Sequence, residues 1–493
     1  MAATAPKPTV NRDAYVNPLT SRYASDVMSR VWSDNVKFST WRKLWIALAE
    51  SERELGLTEQ ITPEQIEEMK KAVYNIDYDL ADIKEKELRH DVMAHIHTFG
   101  LLCPKAMPII HLGATSCFVV CNTELIQMHE SLRLVHMKLI RLCDCLSQFA
   151  LRYADMPCLG YTHFQPAQLV TVGKRACLWL QDFCMDLERV GLELNNLPLR
   201  GVKGTTGTQA SYLHLFQGSH AKVEELDQLV CAKMGFAGKR FPVTGQTYPR
   251  KLDFYILSVL SGVAQSVTKM CTDIRLLANF KEVEEPFESK QVGSSAMAYK
   301  RNPMRCERAC SLARHVITLG IEPALTSSQQ WFERTLDDSA NRRIVVPEAF
   351  LGCDSILSIC INVVEGLHVW PKVIETRILA ELPFMATEEI LMHCVKHGGD
   401  RQVLHEAIRE HSMLAGVQVK EFGRPNDLIA RLQSDPLFTS VHGKLHDLLV
   451  PSNFIGRCPE QVRHYCTNVV APLLQREGQG SDLTQMKDTE LKV

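Results

Sequence analysis

Apolar residues recur at alternating steps of three and four in three long stretches of the chain. The first runs Leu125, Met128, Leu132, Val135, Leu139, Leu142, Leu146 and Phe149. The second runs Leu169, Val172, Ala176, Trp179, Phe183, Leu187, Val190 and Leu194, opened by Pro166 and ending before Pro198. The third begins after Pro249 and runs Leu252, Ile256, Val259, Val263, Val267, Met270, Ile274 and Leu277. Such spacing puts every apolar side chain on one stripe of a helix, the seam of a bundle or coiled coil. Two more helices are predicted, from Pro303 to about Leu319 and from Ser339 to about Val369, the latter kinked at Pro347. Convincing alternating strand patterns are absent, so the predicted fold class is all-α.

Five long helices with continuous apolar stripes have more seam than one small domain covers. The pattern therefore predicts a bundle completed by several subunits, with a homotetramer as the natural closed assembly. Three helical domains are expected: 1–115, a central long-helix bundle at 116–369, and 370–493 after Trp370-Pro371. Residues 477–493, rich in Gly, Ser, Gln and charge, are expected to be a disordered tail.

Bulk composition narrows the function. The 493 residues carry 55 basic and 57 acidic side chains, a formal charge of −2, so no global field favours nucleic acid or membrane. An anionic ligand must then be held by a local cluster. The N-terminal stretch has one Lys and no apolar core, unlike a signal or transit peptide, and no run of about 18 apolar residues marks a bilayer span. The 17 cysteines are scattered without a Cys-x-x-Cys pair, which predicts reduced, buried thiols and a cytoplasmic location.

Candidate chemistry concentrates in a few segments. Gly293-Ser-Ser-Ala-Met-Ala-Tyr-Lys-Arg-Asn-Pro-Met-Arg-Cys-Glu307 is a small-residue run entering a cationic helix start, with Asn302 as expected N-cap and Pro303 as first helical residue. Such a segment can close over an anion and bring a serine beside it. Tyr161-Thr-His-Phe-Gln-Pro-Ala-Gln168 places His163 in a loop ahead of the helix expected from Pro166. His111-Leu-Gly-Ala-Thr-Ser116 is a turn whose hydroxyls could bond a carboxylate, although alone it also reads as an ordinary helix cap. In Arg89-His-Asp-Val-Met-Ala-His-Ile-His97, His90 and His95 would diverge by about 140° on one helix, which argues against a metal site. Gly201-Val-Lys-Gly-Thr-Thr-Gly-Thr-Gln209 lacks the Gly-Lys-Ser/Thr ending of a phosphate loop and reads as a tight turn. Arg22 and Tyr23, and the run Trp331 to Arg343 with Arg334, Ser339, Arg342 and Arg343, offer guanidinium forks beside aromatic rings.

Three of these blocks, in this order along the chain, resemble the fumarase/aspartase superfamily. Gly293 to Pro303 is similar to its signature Gly-Ser-Ser-x-Met-Pro-x-Lys-x-Asn-Pro, Thr162-His163-Phe-Gln165-Pro166-Ala167 to a second block, and His111 to Ser116 to a third. The Tyr299-Lys-Arg-Asn-Pro-Met-Arg305 version resembles the branch that acts on succinylated purine nucleotides. The resemblance covers most of the chain. It implies anti β-elimination releasing fumarate, with Ser294 as base and His163 as general acid. Glu307 would orient or charge His163, while Lys300 and Asn302 hold the substrate carboxylate. It further implies substrate contacts from Arg22, Tyr23, Arg89, His90, Asp91, Thr115, Ser116, Thr162, Gln246, Arg308, Arg334, Ser339 and Arg343. It implies no metal or other cofactor, and active sites shared by three subunits of a homotetramer. Another fumarate-releasing lyase, or a catalytically silent protein on the same scaffold, is the alternative. One departure stands out: Ala298 occupies the position where the superfamily signature has Pro.

Overall fold

The computed structural model describes residues 13–288, 291, 296–297, 299–479 and 491–492, His446 by its backbone alone. In chain order the elements that position the site are α1 (Asp34–Glu54), α2 (Asp91–Leu102), α3 (Ser116–Arg152), β1 (Pro157–Thr162), β2 (Gln165–Thr171), α4 (Val172–Asn196) and α5 (Lys251–Asn279). They continue with β3 (Val283–Glu284), α6 (Met304–Leu319), α7 (Asp338–Gly366), β4 (His368–Val369) and α8 (Pro371–Met385). The fold is all-α, with two small antiparallel pairs, β1–β2 and β3–β4, among the described residues.

Helices α3 to α7 form the central bundle, and the a/d stripes are its interior. Leu125, Leu132, Leu139, Leu146, Phe183, Leu187, Ile256, Val263 and Met270 are all buried in one continuous apolar core. Each such side chain removed from water contributes roughly 1.5–3 kcal/mol, so the stripes supply the main cohesion. Charge enters this interior only in pairs. Lys138 of α3 ion-pairs with Asp354 of α7 and donates to Ser358 Oγ (2.6 Å), while Asp354 also accepts from the Ser25 amide (2.7 Å). Helix α7 is long and apolar enough to cross a bilayer, yet 83% of its most apolar stretch is buried inside the protein. Pro347 lies within it without ending it.

Two boundaries differ from the sequence reading. Pro166 and Leu169 belong to strand β2, and the helix begins only at Val172, where Thr171 Oγ1 accepts from the Lys174 amide (3.0 Å). Glu477, placed in the expected tail, instead ends a helix (Ala471–Glu477) and bonds His136 of α3 at 3.0 Å. Residues 480–490 and 493 of that tail lie outside the described residues.

A second apolar core unites Trp41, Trp45 and Phe99 with Val202, Tyr212, Phe216 and Leu226, so the chain beyond α4 folds back onto the N-terminal helices. A third gathers Ile390, Leu404, Leu428, Phe438 and Leu445. All 17 cysteines are free thiols, and only Cys177 is not fully buried.

The bundle has two chemically distinct ends. Helix α3, 37 residues at 1.5 Å each, spans about 55 Å. Thr115 and Ser116 stand at its start. The β1–β2 hairpin stands beyond its finish, beside the end of α5 and the β3–β4 pair, which joins Val283 to Val369.

Candidate active site

At the hairpin end, His163 is one of two central residues of a tight turn. Thr162 pairs with Gln165, and His163 (φ 52°) and Phe164 (φ 58°) both adopt the left-handed conformation. A two-residue hairpin loop favours this geometry, but normally with Asn or Gly. For two larger side chains it costs on the order of 1–3 kcal/mol each. His163 and Thr162 are exposed at the tip, and the imidazole has no hydrogen-bond partner among the described residues. It is thus presented outward, not from a helix start as the sequence suggested.

Beside this end lies a groove of about 980 Å³ lined by Lys300, Asn302, Glu307, Tyr299, Arg275 and Trp370, among others. The segment feeding it is anchored at its root: Arg301 Nη1 donates to Glu284 Oε2 (3.1 Å). Helix α6 starts one residue later than expected, at Met304. Its first turn is capped from a distance, with Glu285 accepting from the Arg305 amide (3.0 Å) and the Cys306 amide (2.7 Å). Burial pushes the Glu285 carboxyl up, against those bonds. Glu307 is exposed into the groove and makes no contact with His163 of its own chain. Ser294, the expected base, and Ala298 lie outside the described residues.

The opposite end carries a different set. Thr115 caps α3 without using its side chain for a cap hydrogen bond. One turn in, Cys117 Sγ accepts from Arg334 Nη1 (2.8 Å) and approaches Gln246 Oε1 (3.8 Å). The Gln246 amide donates to the Glu333 carbonyl (3.0 Å), an approach that needs the preceding Gly245: a Cβ there would meet that carbonyl oxygen at 2.5 Å. Ser339 lies in the first turn of α7, one residue after Asp338, whose carboxylate binds Arg250 Nε (2.5 Å) and faces Arg334 Nη2 (3.7 Å). Thr115, Ser116, Gln246, Arg334 and Ser339 are therefore neighbours here.

Arg342 does not join them. It is buried and fully engaged, with Nε on Asp253 Oδ2 (2.7 Å), Nη1 on Glu124 Oε2 (2.9 Å) and Nη2 on the Tyr248 hydroxyl (2.5 Å). Its guanidinium braces α3, α5 and α7 and is not available to a phosphate. Arg343, the next residue, points out and ion-pairs with Asp91 (3.0 Å). Asp91 opens α2, His90 caps it by accepting from the Met93 amide (3.3 Å), and Arg89 ends the preceding helix with φ 55°. The run is thus a junction between two helices. His95 is buried, stacked 3.8 Å from Phe38, and burial lowers its pKa to about 4. Arg22 and Tyr23 meet Arg308 of α6, with both guanidinium carbons 5.9 Å from the tyrosine ring.

One chain thus holds the expected residues in separate groups at the two ends of a 55 Å bundle. Sequence reasoning missed Glu285, a cap supplied from about 20 residues upstream. It also missed Arg377 and Glu282, which flank the hairpin.

These features, an all-helical bundle with ligand-competent clusters at both ends, define a lyase of the fumarase/aspartase superfamily. Residues 9–318 match the Lyase family, and residues 383–465 match the family described as Adenylosuccinate lyase C-terminus. Relatives include the adenylosuccinate lyases of Saccharomyces cerevisiae, 55% identical over 94% of this chain and 96% of the relative, and of Schizosaccharomyces pombe, 54% identical over the same shares. That of Schistosoma mansoni is 49% identical. Among solved structures, the 3-carboxy-cis,cis-muconate lactonizing enzyme of Pseudomonas putida superposes with a TM-score of 0.79 over 94% of this chain and 100% of its own, at 22% identity. The fumarate lyase of Mesorhizobium sp. BNC1 gives 0.76 over 90% and 98%, at 21% identity, a likeness of fold. The chain belongs to the adenylosuccinate lyase family, and it is a carbon–nitrogen lyase.

Proposed function

We propose that this enzyme cleaves adenylosuccinate to AMP and fumarate, and the succinylated imidazole-carboxamide ribotide of purine synthesis to its carboxamide product and fumarate. The observation that carries this reading is the 55% identity to an adenylosuccinate lyase over 94% of the chain. An argininosuccinate-type lyase or a silent scaffold is disfavoured by that likeness together with the retention of His163, Lys300 and Glu307.

The elimination needs a base for the Cβ proton, an acid for the departing nitrogen and cations facing the carboxylate as negative charge develops. In this reading Ser294 is the base and His163 the acid. Glu307 orients or charges the imidazole, and Lys300 with Asn302 holds the carboxylate. Thr115, Ser116, Thr162 and Gln246 take further polar groups of the substrate. Arg22, Tyr23, Arg89, His90, Asp91, Arg308, Arg334, Ser339 and Arg343 serve the nucleotide. A general acid or base contributes about 10²–10⁴-fold, and a donor aimed at developing charge roughly 2.7–4 kcal/mol. No step assigned here uses a metal or cofactor.

The separation of the groups supports a shared site, in which the Thr115 end of one chain meets the hairpin and groove ends of others in a homotetramer. A cytoplasmic location and the division 1–115, 116–369 and 370–493 belong to the same proposal. The test is turnover of purified protein with adenylosuccinate, fumarate being detected directly in the presence of EDTA. Turnover that EDTA leaves intact is expected; a folded assembly with no turnover would overturn the reading.

A further inference from the structure

The turn that presents His163 is strained, and two residues outside the hairpin hold it. Left-handed backbone at two consecutive non-glycine residues persists only where surrounding contacts over-determine it. Arg377, on α8, supplies most of them. Its Nη2 donates to the Tyr161 hydroxyl (3.1 Å), and its Nε donates to Glu282 Oε1 (2.8 Å). The guanidinium carbon lies 4.2 Å from the centre of the Phe280 ring. Phe280 stacks in turn on Tyr161 at 5.6 Å and on Phe164 at 5.8 Å. One planar cation thus bonds the strand entering the turn and backs the ring under which the turn's second residue packs.

Glu282 makes that cation stay. Its carboxylate is 1% exposed, its Oε2 has no hydrogen-bond partner, and burial pushes the carboxyl up. A buried carboxylate this poorly solvated depends on its guanidinium partner. Its backbone carbonyl accepts from the Trp370 amide (2.9 Å), just before α8 begins, so α8 and the end of α5 are locked together under the hairpin.

We propose that Arg377 and Glu282 are positioning residues for His163, fixing the hairpin turn from which the imidazole is delivered to the departing nitrogen. This rests on the assignment of His163 as general acid. Arg377 acts through Tyr161, Phe280 and Phe164, and a displacement of about 1 Å at the reacting group can cost 10²-fold. A lysine at 377 can pair with Glu282 but cannot fork to the Tyr161 hydroxyl as well.

The test is a double-mutant cycle on the assembled enzyme, reading kcat and KM. Arg377→Ala is expected to lower kcat by on the order of 10²-fold with KM unchanged. Arg377→Lys should recover part of the loss, and Tyr161→Phe, which keeps the ring stack, should lose less than Arg377→Ala. In a His163→Ala background, Arg377→Ala should cost nothing further, because the group it positions is gone. An equal fold-loss in both backgrounds would overturn the proposal, as would a lowered Tm with unchanged kcat, the mark of a mere staple for α8. If Arg377→Ala fails to assemble, Arg377→Lys and Tyr161→Phe carry the same cycle. Should His163→Ala itself leave kcat intact, the acid assignment fails and the positioning claim falls with it, an outcome the cycle separates from equal loss in both backgrounds.

Discussion

Thr115 and Tyr153 cap the two ends of one unbroken helix of 37 residues, which sets them about 55 Å apart. Every candidate substrate contact near Thr115 is therefore out of reach of the hairpin that begins at Pro157. A nucleotide substrate cannot bridge that distance, so a single chain cannot place Ser116 and His163 on one molecule.

The two kinds of residue should separate in kinetics. His163→Ala is expected to lower kcat by on the order of 10²–10⁴-fold. Arg343→Ala, which removes an exposed cation paired with Asp91, should chiefly raise KM and leave kcat near its original value. Steady-state curves for both variants check this; a kcat loss in Arg343→Ala as large as that of His163→Ala would contradict it.

Arg342 belongs to stability. Arg342→Ala leaves Asp253 and Glu124 buried or half-buried without their cation, at a cost of about 3–5 kcal/mol. Denaturant unfolding measures it, and a loss below about 1 kcal/mol would show that the network relaxes or takes in water.

Acid should weaken the N-terminal core through His95. Burial lowers its folded pKa from the ordinary 6.5 to about 4, so between those values the unfolded chain binds the extra proton. Stability from the neutral imidazole is complete above pH 6.5 and is lost as pH falls towards 4, by roughly 3 kcal/mol. His111, also lowered to about 4 by burial, adds to the same window. His95→Phe keeps a ring against Phe38 and should flatten the fall in urea midpoint from pH 7 to pH 4.5. An unchanged slope would contradict the assignment.

The signature position 298 offers a smaller test. Proline there restricts the unfolded chain, an effect of about 0.4–1 kcal/mol. Ala298→Pro should raise kcat/KM by a few-fold through easier ordering of the segment, and unchanged kcat and KM would refute it.

What the sequence disclosed, and what it hid, follows from the range of the interactions. The stripe from Leu125 to Phe149 identified α3 because helical period is local, and Arg22, Tyr23 and Arg308 converge as the resemblance implied. The start of α4 was misplaced because Pro166 is an ordinary opener, whereas Thr171, the actual cap, was the quieter signal. The turn at His163 and Phe164 carries no Gly or Asn, so nothing local announces a hairpin held by Arg377 from over 200 residues away. Glu285 as the cap of α6 is equally non-local. Arg342 and Arg343 look alike as text, but one helical step of about 100° turns one inward and the other to solvent.

The most direct measurement mixes two inactive proteins with lesions at opposite ends of the bundle. Ser116→Ala and His163→Ala homo-oligomers are prepared separately, mixed under conditions in which subunit exchange is verified, and assayed for fumarate release; His163→Ala with Ser294→Ala is run beside them. A site assembled from different chains predicts that hybrids regain part of the original activity, since some sites receive an intact residue from each parent. Activity that stays at the level of the parents after complete exchange would contradict a shared site.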